Sequence, residues 1–338
     1  MLQIFRKGYQ VAPMAFMLTV WIIYMTATQK WDIFFAYSEA GIQNWYMSLT
    51  MVFGSFIAGA TSEGGGAVAF PVMTLLFQVE PHVARNFSLA IQSIGMTSAA
   101  YFIFVRGIPI AKSYLALCSI GGVVGMLIGT YFIDPWVSSS YVKMLFVTLW
   151  LSFGVALFYA NFFKKRQPQE QMPALPPSEK RLLMLVGVFG GIISALAGSG
   201  IDIASFAFVT TRYNLSEKVA TPTSVCLMAG NTVIGFFLHA FVIRDFFNTD
   251  AFSYWLVAIP IAMFAAPLGA FFISQRTQKF VANFLYVILL TQFIGAFLIV
   301  RPTGLLLGFT LAVFAAGLTL FFGFGKAKLV PQPVFEKE

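Results

Sequence analysis

The chain has 338 residues, of which 59% are hydrophobic and only 10% are charged, and its formal net charge is +8. Soluble domains carry roughly 25% charged residues, so this composition excludes an ordinary soluble enzyme or binding module. The basic residues lie in short stretches between long apolar runs, which does not indicate a nucleic-acid-binding surface. The composition predicts an all-α polytopic membrane protein embedded in a lipid bilayer.

Apolar runs long enough for a bilayer recur along the whole chain. The first run, Val11–Ala27, follows Arg6 and Lys7 as in a signal peptide, but its length favours a retained helix. Regions 45–78 and 181–213 contain glycine-rich turns and are too short for two full crossings, so each is predicted to be a helical hairpin or a tilted broken pair. Further helices are predicted at about 11–28, 86–106, 112–133, 140–163, 219–241, 251–273, 278–299 and 302–322.

The basic residues orient the chain across the membrane. With a cytoplasmic N-terminus, the predicted helices place 16 of the 21 lysines and arginines on the cytoplasmic side, in agreement with the positive-inside rule. The C-terminus is then also cytoplasmic, as expected for a multi-pass protein of the cell inner membrane. The loop Lys30–Trp45 is predicted to be external.

A polar, Pro-rich segment, KKRQPQEQMPALPPSEKR, divides the chain into two halves. It is predicted to be a cytoplasmic linker. The predicted units are an N-terminal helix with an external loop in 1–44, a first repeat in 45–163, the linker in 164–180, a second repeat in 181–300, and a C-terminal helix with a cytoplasmic tail in 301–338.

The two halves are related in sequence. VFGSFIAGATSEGGGAVAF from Val52 aligns without gaps with VFGGIISALAGSGIDIASF from Val188, at a shift of 136 residues. After four inserted residues, the small-residue motif Gly125–Gly129 pairs with Ala265–Gly269. Each half contains one hairpin and three crossings, and since three is odd, the second half is predicted to be inverted relative to the first. Inverted repeats with broken helices at matching positions are typical of secondary transporters, which bind substrate at the breaks.

Small residues mark both breaks, and we regard them as candidate substrate-binding residues: Gly64, Gly65, Gly66, Gly198, Ser199 and Gly200. Glycine permits positive φ angles and lets a ligand approach the backbone closely. Helices that begin near Ala67 and Ile203 would point free N–H groups into the membrane interior, where two opposed N-termini form an anion site. The alternative is that the glycines serve only tight helix packing.

The helix after each hairpin carries further candidates. A spacing of i, i+4, i+7 places Ser88, Gln92 and Gly95 on one face, and their repeat equivalents are Ser224, Met228 and Asn231. The polar members, Ser88, Gln92, Ser224 and Asn231, would suit the oxygens of a small anion. Hydrogen bonding between helices explains them equally well.

Only two acidic residues, Glu63 and Asp202, lie deep within apolar segments. The repeat alignment places Glu63 opposite Ser199 and Asp202 opposite Gly66, so both belong to the predicted hairpin tips. Ionisable groups inside a membrane usually mark ion or proton pathways, and we expect these two to couple transport to protons, with sodium as the second possibility. The alternatives are capping of backbone amides and pairing with an arginine such as Arg85.

The segment GGGAVAFP at 64–71, with Ala84 and Ser88 after it, resembles the TauE/SafE family, and GSG at 198–200 with ATPTS at 220–224 forms a weaker second copy. The resemblance covers about residues 45–300. Members are described as sulfite and organosulfonate exporters. The usual family pattern is Gly-x-Gly-Gly-Gly, four residues, then Pro; this chain has Ser62-Glu63 in place of the first Gly-x, and Ile201, Asp202 and Ala207 replace two glycines and the proline of the second copy.

The resemblance implies a secondary transporter, an exporter of a small sulfur-containing anion such as sulfite or an organosulfonate. We expect it to work by alternating access between the two halves, as a single chain or an oligomer. A passive anion channel and a sodium-coupled anion transporter are the alternatives. HExxH, C-x-x-C and GxSxG with a usable histidine are not found in the sequence, so we expect no enzymatic activity, no cofactor and no metal site.

Overall fold

The computed structural model describes residues 12–164 and 168–326, which form a bundle of helices. The α-helices are α1 (Ala12–Ala27), α2 (Trp45–Ala60), α3 (Gly66–Pro71), α4 (Pro81–Val105), α5 (Lys112–Ile128), α6 (Ser139–Phe162), α7 (Pro177–Ala197), α8 (Ile201–Arg212), α9 (Glu217–Phe237), α10 (Asp250–Ser274), α11 (Gln278–Val300) and α12 (Gly304–Lys326). Short π-helical segments extend α3, α5 and α9. Eight helices of the described residues are long and apolar enough to cross a membrane, which confirms the predicted fold class.

Two helices begin earlier than the apolar runs predict. Helix α4 begins at Pro81 rather than near residue 86, because proline lacks an N–H group and the first helical position does not use one. Helix α9 begins at Glu217, after an N-cap at Ser216 whose hydroxyl accepts a hydrogen bond from the Lys218 N–H at 3.3 Å. Both first turns contain polar or charged residues, which hydropathy alone excludes from a span.

Both glycine-rich turns interrupt helices, as predicted. Residues 61–65, here called tip 1, separate α2 from α3, and residues 198–200, called tip 2, separate α7 from α8. Every residue of both tips is buried. The arms of the second hairpin are unequal, because α7 has 21 residues and α8 has 12.

Glycines allow the two halves to pack closely. Helix α2 packs against α10, and α5 packs against α7. A Cβ added at Gly269 would lie 2.0 Å from the Phe56 carbonyl oxygen, and one at Gly129 would lie 3.0 Å from the Ile192 carbonyl oxygen. The repeat alignment equates Phe56 with Ile192 and Gly129 with Gly269, so equivalent positions make equivalent contacts. These contacts support the inverted relation of the two halves, which stays a prediction.

Segments that are predicted to lie on the same side of the membrane contact one another. Of those predicted to be external, the Glu39 N–H donates to Asp250 at 2.8 Å. Of those predicted to be cytoplasmic, the linker is tied to the α8–α9 turn, because the Gln169 N–H donates to the Asn214 carbonyl at 2.8 Å and the Gln169 carbonyl accepts from the Ser216 N–H at 2.7 Å. The linker therefore packs against the second half.

We expect cysteines at Tyr37 and Gln171 to react with an impermeant thiol reagent from opposite sides of the membrane. Both positions are exposed, whereas the neighbouring Ser38 is buried. The native Cys118 and Cys226 are also buried and should give little background. The measurement is labelling of intact and permeabilised cells, and labelling of both positions from one side would contradict the predicted topology.

Candidate functional site

The two tips touch each other directly. The Ser199 hydroxyl of tip 2 donates a hydrogen bond to the Glu63 carbonyl oxygen of tip 1 at 2.7 Å. These two residues are 136 positions apart, which is the shift of the repeat alignment. The contact therefore joins equivalent positions of the two halves.

Gln92 of α4 bridges the tips through its side-chain amide. Its Oε1 accepts a hydrogen bond from the Gly65 N–H at 2.9 Å, and its Nε2 donates to the Gly198 carbonyl at 2.8 Å. The same Nε2 donates to the Ser88 carbonyl at 3.0 Å. One buried amide thus satisfies backbone groups of both breaks, as buried polar groups require.

Gly64 and Gly198 adopt backbone conformations that favour glycine, with φ angles of +67° and +76°. A Cβ at Gly64 would lie 2.5 Å from both Asp202 Oδ2 and Ser199 Oγ. Gly65 differs, since its φ is −71° and an added Cβ would lie no closer than 3.3 Å to a neighbouring atom. The positive-φ turn of tip 1 is therefore made at Gly64 and not at Gly65.

The helix that follows tip 2 is capped by its own half. The Ile201 N–H donates to the Ser194 hydroxyl at 2.9 Å, and the Gly200 N–H donates to Asp202 Oδ1 at 3.1 Å. Asp202 is fully buried, and its carboxyl group lies at the α8 N-terminus, where it offsets the partial positive charge of the helix end. Helices α3 and α8 begin at Gly66 and Ile201, slightly earlier than expected. Several backbone N–H groups at the two breaks already donate hydrogen bonds to side chains of the protein.

Glu63 is fully buried, and its carboxyl group is hydrogen-bonded to a residue that was not predicted from the sequence. Gln292 of α11 donates a hydrogen bond to Glu63 Oε2, and the buried Oε1 has no partner among the described residues. Thr291 and Gln292 are adjacent polar residues in the apolar α11 sequence. This polar pair in an otherwise apolar helix was the sequence feature that could have pointed to Gln292.

The remaining candidates differ in their hydrogen-bond partners. The buried Ser88 hydroxyl has no partner among the described residues, and its Cβ lies 2.5 Å from the position of a Cβ at Gly198. Ser224 donates to the Thr221 carbonyl of its own helix at 2.8 Å. Asn231 donates to the Gly122 carbonyl of α5 at 3.3 Å. A role in substrate binding stays a prediction for all of these residues.

Arg85 forms a separate polar cluster on the predicted external side. It pairs with Asp134, and its Nη2 lies 3.7 Å from Asp245 Oδ2. His239 Nδ1 lies 2.9 Å from the same carboxyl group. Burial opposes ionisation of Asp245, but the hydrogen bond and charge of His239 and the charge of Arg85 outweigh it and keep the pKa of Asp245 below its ordinary value. Arg85 is therefore engaged with loop carboxylates, and no ion pair of Arg85 with Glu63 or Asp202 is found among the described residues.

Comparison with known proteins places residues 46–298 in a single family model, described as sulfite exporter TauE/SafE. The match covers both tips, Gln92 and Gln292. Searches of curated proteins and of solved structures found no significant match.

We expect Gly64→Ala to destabilise the protein and Gly65→Ala to leave it nearly unchanged. Alanine at Gly64 combines a left-handed conformation, which costs about 1–2 kcal/mol, with contacts too short to retain. At the matched control, Gly65, φ is negative and the closest contact, 3.3 Å to Gln92 Cγ, requires only a small shift of that side chain. Melting temperature and monodispersity in detergent measure the difference, and equal stability of the two variants would contradict the tip geometry.

Proposed function

We propose that this chain, which belongs to the sulfite exporter TauE/SafE family, is a secondary active transporter that exports a small sulfur-containing anion such as sulfite or an organosulfonate. The chain is a multi-pass membrane protein with helices suited to cross the bilayer. Family membership supports transport of a small anion. An inner-membrane location belongs to the same proposal, and the positive-inside rule supports cytoplasmic termini.

The observation that carries the proposal is the meeting of two helix breaks inside the bundle. Broken helices at membrane depth survive only where protein or a polar cavity satisfies their backbone groups. Here Gln92 satisfies a backbone group of each break, and its bond to the Gly198 carbonyl joins the two halves, as does the bond from Ser199 to the Glu63 carbonyl. When one half moves against the other, the geometry of a site built from both halves changes. Alternating access depends on such a change.

We assign proton coupling to Glu63 and Asp202. Each is fully buried, and an ionised carboxylate is costly in a bundle of apolar helices. Binding an anion beside two carboxylates costs still more, since like charges repel, whereas protonation of the carboxyl groups removes that cost. Proton and anion would then bind cooperatively, as coupled transport requires.

Uptake into proteoliposomes tests the proposed activity. Sulfite, sulfoacetate, taurine, sulfate and chloride are compared at varied pH and sodium concentration. We expect saturable uptake of at least one sulfur-containing anion, accelerated by the same anion on the opposite side of the membrane. A channel cannot produce this counterflow, so conduction without it would reject a carrier.

We expect Glu63→Gln and Asp202→Asn to retain anion exchange but to lose accumulation driven by a pH gradient. Each substitution keeps the shape of a protonated carboxyl group but gives a side chain that can neither release nor take up a proton. Asp32→Asn, at an exposed carboxylate outside the bundle, is the matched control and should behave as wild type. Wild-type pH profiles in both tip variants would reject proton coupling, and loss of sodium dependence instead would make sodium the coupling ion.

A further inference from the structure

The buried carboxyl group of tip 1 has one side-chain partner among residues 12–164 and 168–326. Gln292 of α11 donates a hydrogen bond from its Nε2 to Glu63 Oε2, and Glu63 Oε1 is buried without a partner. Gln292 is itself partly exposed, and the adjacent Thr291 is exposed. The amide of Gln292 therefore lies between a fully buried carboxyl group and the outer surface of the bundle.

This hydrogen bond joins the two predicted halves of the chain. Glu63 belongs to the first half, whereas α11 belongs to the second half and packs against α3. The donor to this carboxyl group is therefore carried by a helix that is 229 positions away in sequence. A movement of one half against the other changes the distance between donor and acceptor.

The carboxyl group of tip 2 is bonded differently. Asp202 accepts from the Gly200 N–H at 3.1 Å and from the Ser199 hydroxyl at 3.4 Å, and both donors belong to its own tip. The alignment that pairs Gly125 with Ala265 equates Gln292 with Ser152 of α6. The Ser152 hydroxyl donates to the Leu149 carbonyl of its own helix at 2.6 Å. The bond of Gln292 therefore has no counterpart in the other half among the described residues.

A glutamine side chain can pair with a carboxyl group in either charge state. An ionised carboxylate only accepts hydrogen bonds, whereas a protonated one also donates, and the amide of glutamine offers both a donor and an acceptor. Rotation of the amide thus keeps one hydrogen bond to Glu63 before and after proton uptake. The bond to the ionised form is about twice as strong as a neutral one, so Gln292 favours ionised Glu63.

Asp202 of tip 2 is the charged group that acts on Glu63. The helices that pack against α2 and α3 carry their charged side chains in their first five residues, and none of these is bonded to Glu63 in the described part of the chain. They are His82 and Arg85 of α4, Glu179, Lys180 and Arg181 of α7, Glu217 and Lys218 of α9, Asp250 of α10 and Lys279 of α11. Tyrosine and cysteine side chains of these helices are ordinarily uncharged at neutral pH.

The geometry points to Gln292 as the positioning residue for the proton-coupling carboxyl group of tip 1. From the second half of the chain, it donates to ionised Glu63 and sets the pH at which Glu63 takes up a proton. The inference rests on the proposed transport function and assigns a different role to each tip. The proton affinity of Glu63 depends on how the two halves are placed, whereas Asp202 is held by donors of its own tip.

Thermal stability in detergent tests the pairing without measuring transport. Gln292→Met keeps nearly the same length but lacks the N–H group, so it removes most stabilisation where Glu63 is ionised. We expect its melting temperature to fall further below that of wild type as pH rises, by about 2–4 °C. Thr291→Val, on the adjacent exposed residue, is the matched control and should show no such dependence on pH.

Repeating these measurements in two further backgrounds identifies the carboxyl group involved. With Glu63→Gln, Gln292→Met should lower stability by the same amount at every pH, because residue 63 no longer ionises. With Asp202→Asn, the dependence on pH should persist. A loss that is equal at all pH values in the wild-type background, or an unchanged pH dependence with Glu63→Gln, would overturn the assignment and leave Gln292 as a packing residue.

The pH profile of uptake tests the consequence for transport. Without the donor, protonated Glu63 persists to higher pH, so Gln292→Met should move the pH of half-maximal accumulation upward by about one unit, a tenfold change in proton affinity. Gln292→Asn keeps the amide on a shorter side chain and should move the profile less. Thr291→Val should leave the profile where it is in wild type.

The outcomes distinguish the role of Gln292 from the transport function. A pH-dependent loss of stability that requires Glu63, in a protein that takes up no sulfur-containing anion, would support the pairing and reject the proposed transport. Saturable uptake with an unshifted pH profile in Gln292→Met, together with a loss of stability that does not vary with pH, would overturn the role of Gln292 and leave transport intact.

Discussion

Unpaired backbone groups at a helix break have no water to bind inside a membrane, and the rest of this structure depends on how they are satisfied. An unsatisfied amide in hydrocarbon costs several kcal/mol. Here Gln92 accepts from one break and donates to the other, Ser194 accepts from the start of α8, and Ser199 donates to the Glu63 carbonyl. The breaks are therefore held by specific side chains, and these side chains fix where the two halves meet.

This arrangement places a buried carboxyl group at each of the two breaks. Helix N-termini ordinarily favour anions, but the carboxyl group of Asp202 already occupies the N-terminus of α8, and Glu63 lies at the other tip. Under the proposed mechanism, protonation of these two carboxyl groups makes room for the anion at the tips.

The sequence was sufficient for the helical membrane fold, the positions of both breaks and the family, because these depend on local composition and on a repeat that alignment detects. It also brought Ser199 and Glu63 together as equivalent residues, and the structure places them in contact. It missed Gln292, which is 229 positions from its partner Glu63, and it could not identify Gly64 as the only positive-φ glycine of tip 1. Long-range pairing and individual φ angles depend on the packed bundle, which no local pattern encodes.

The interleaved packing of the two halves has a consequence for biosynthesis. The helix that covers α2 is α10, and α5 packs against α7, so much of the surface buried by the first half is provided by segments made later. The hydroxyl that satisfies the Glu63 carbonyl is likewise translated 136 residues after it. A nascent chain that has emerged only as far as the linker therefore holds an incomplete, polar tip within its inserted helices. Tip 1 can therefore be completed only after the second half has left the ribosome.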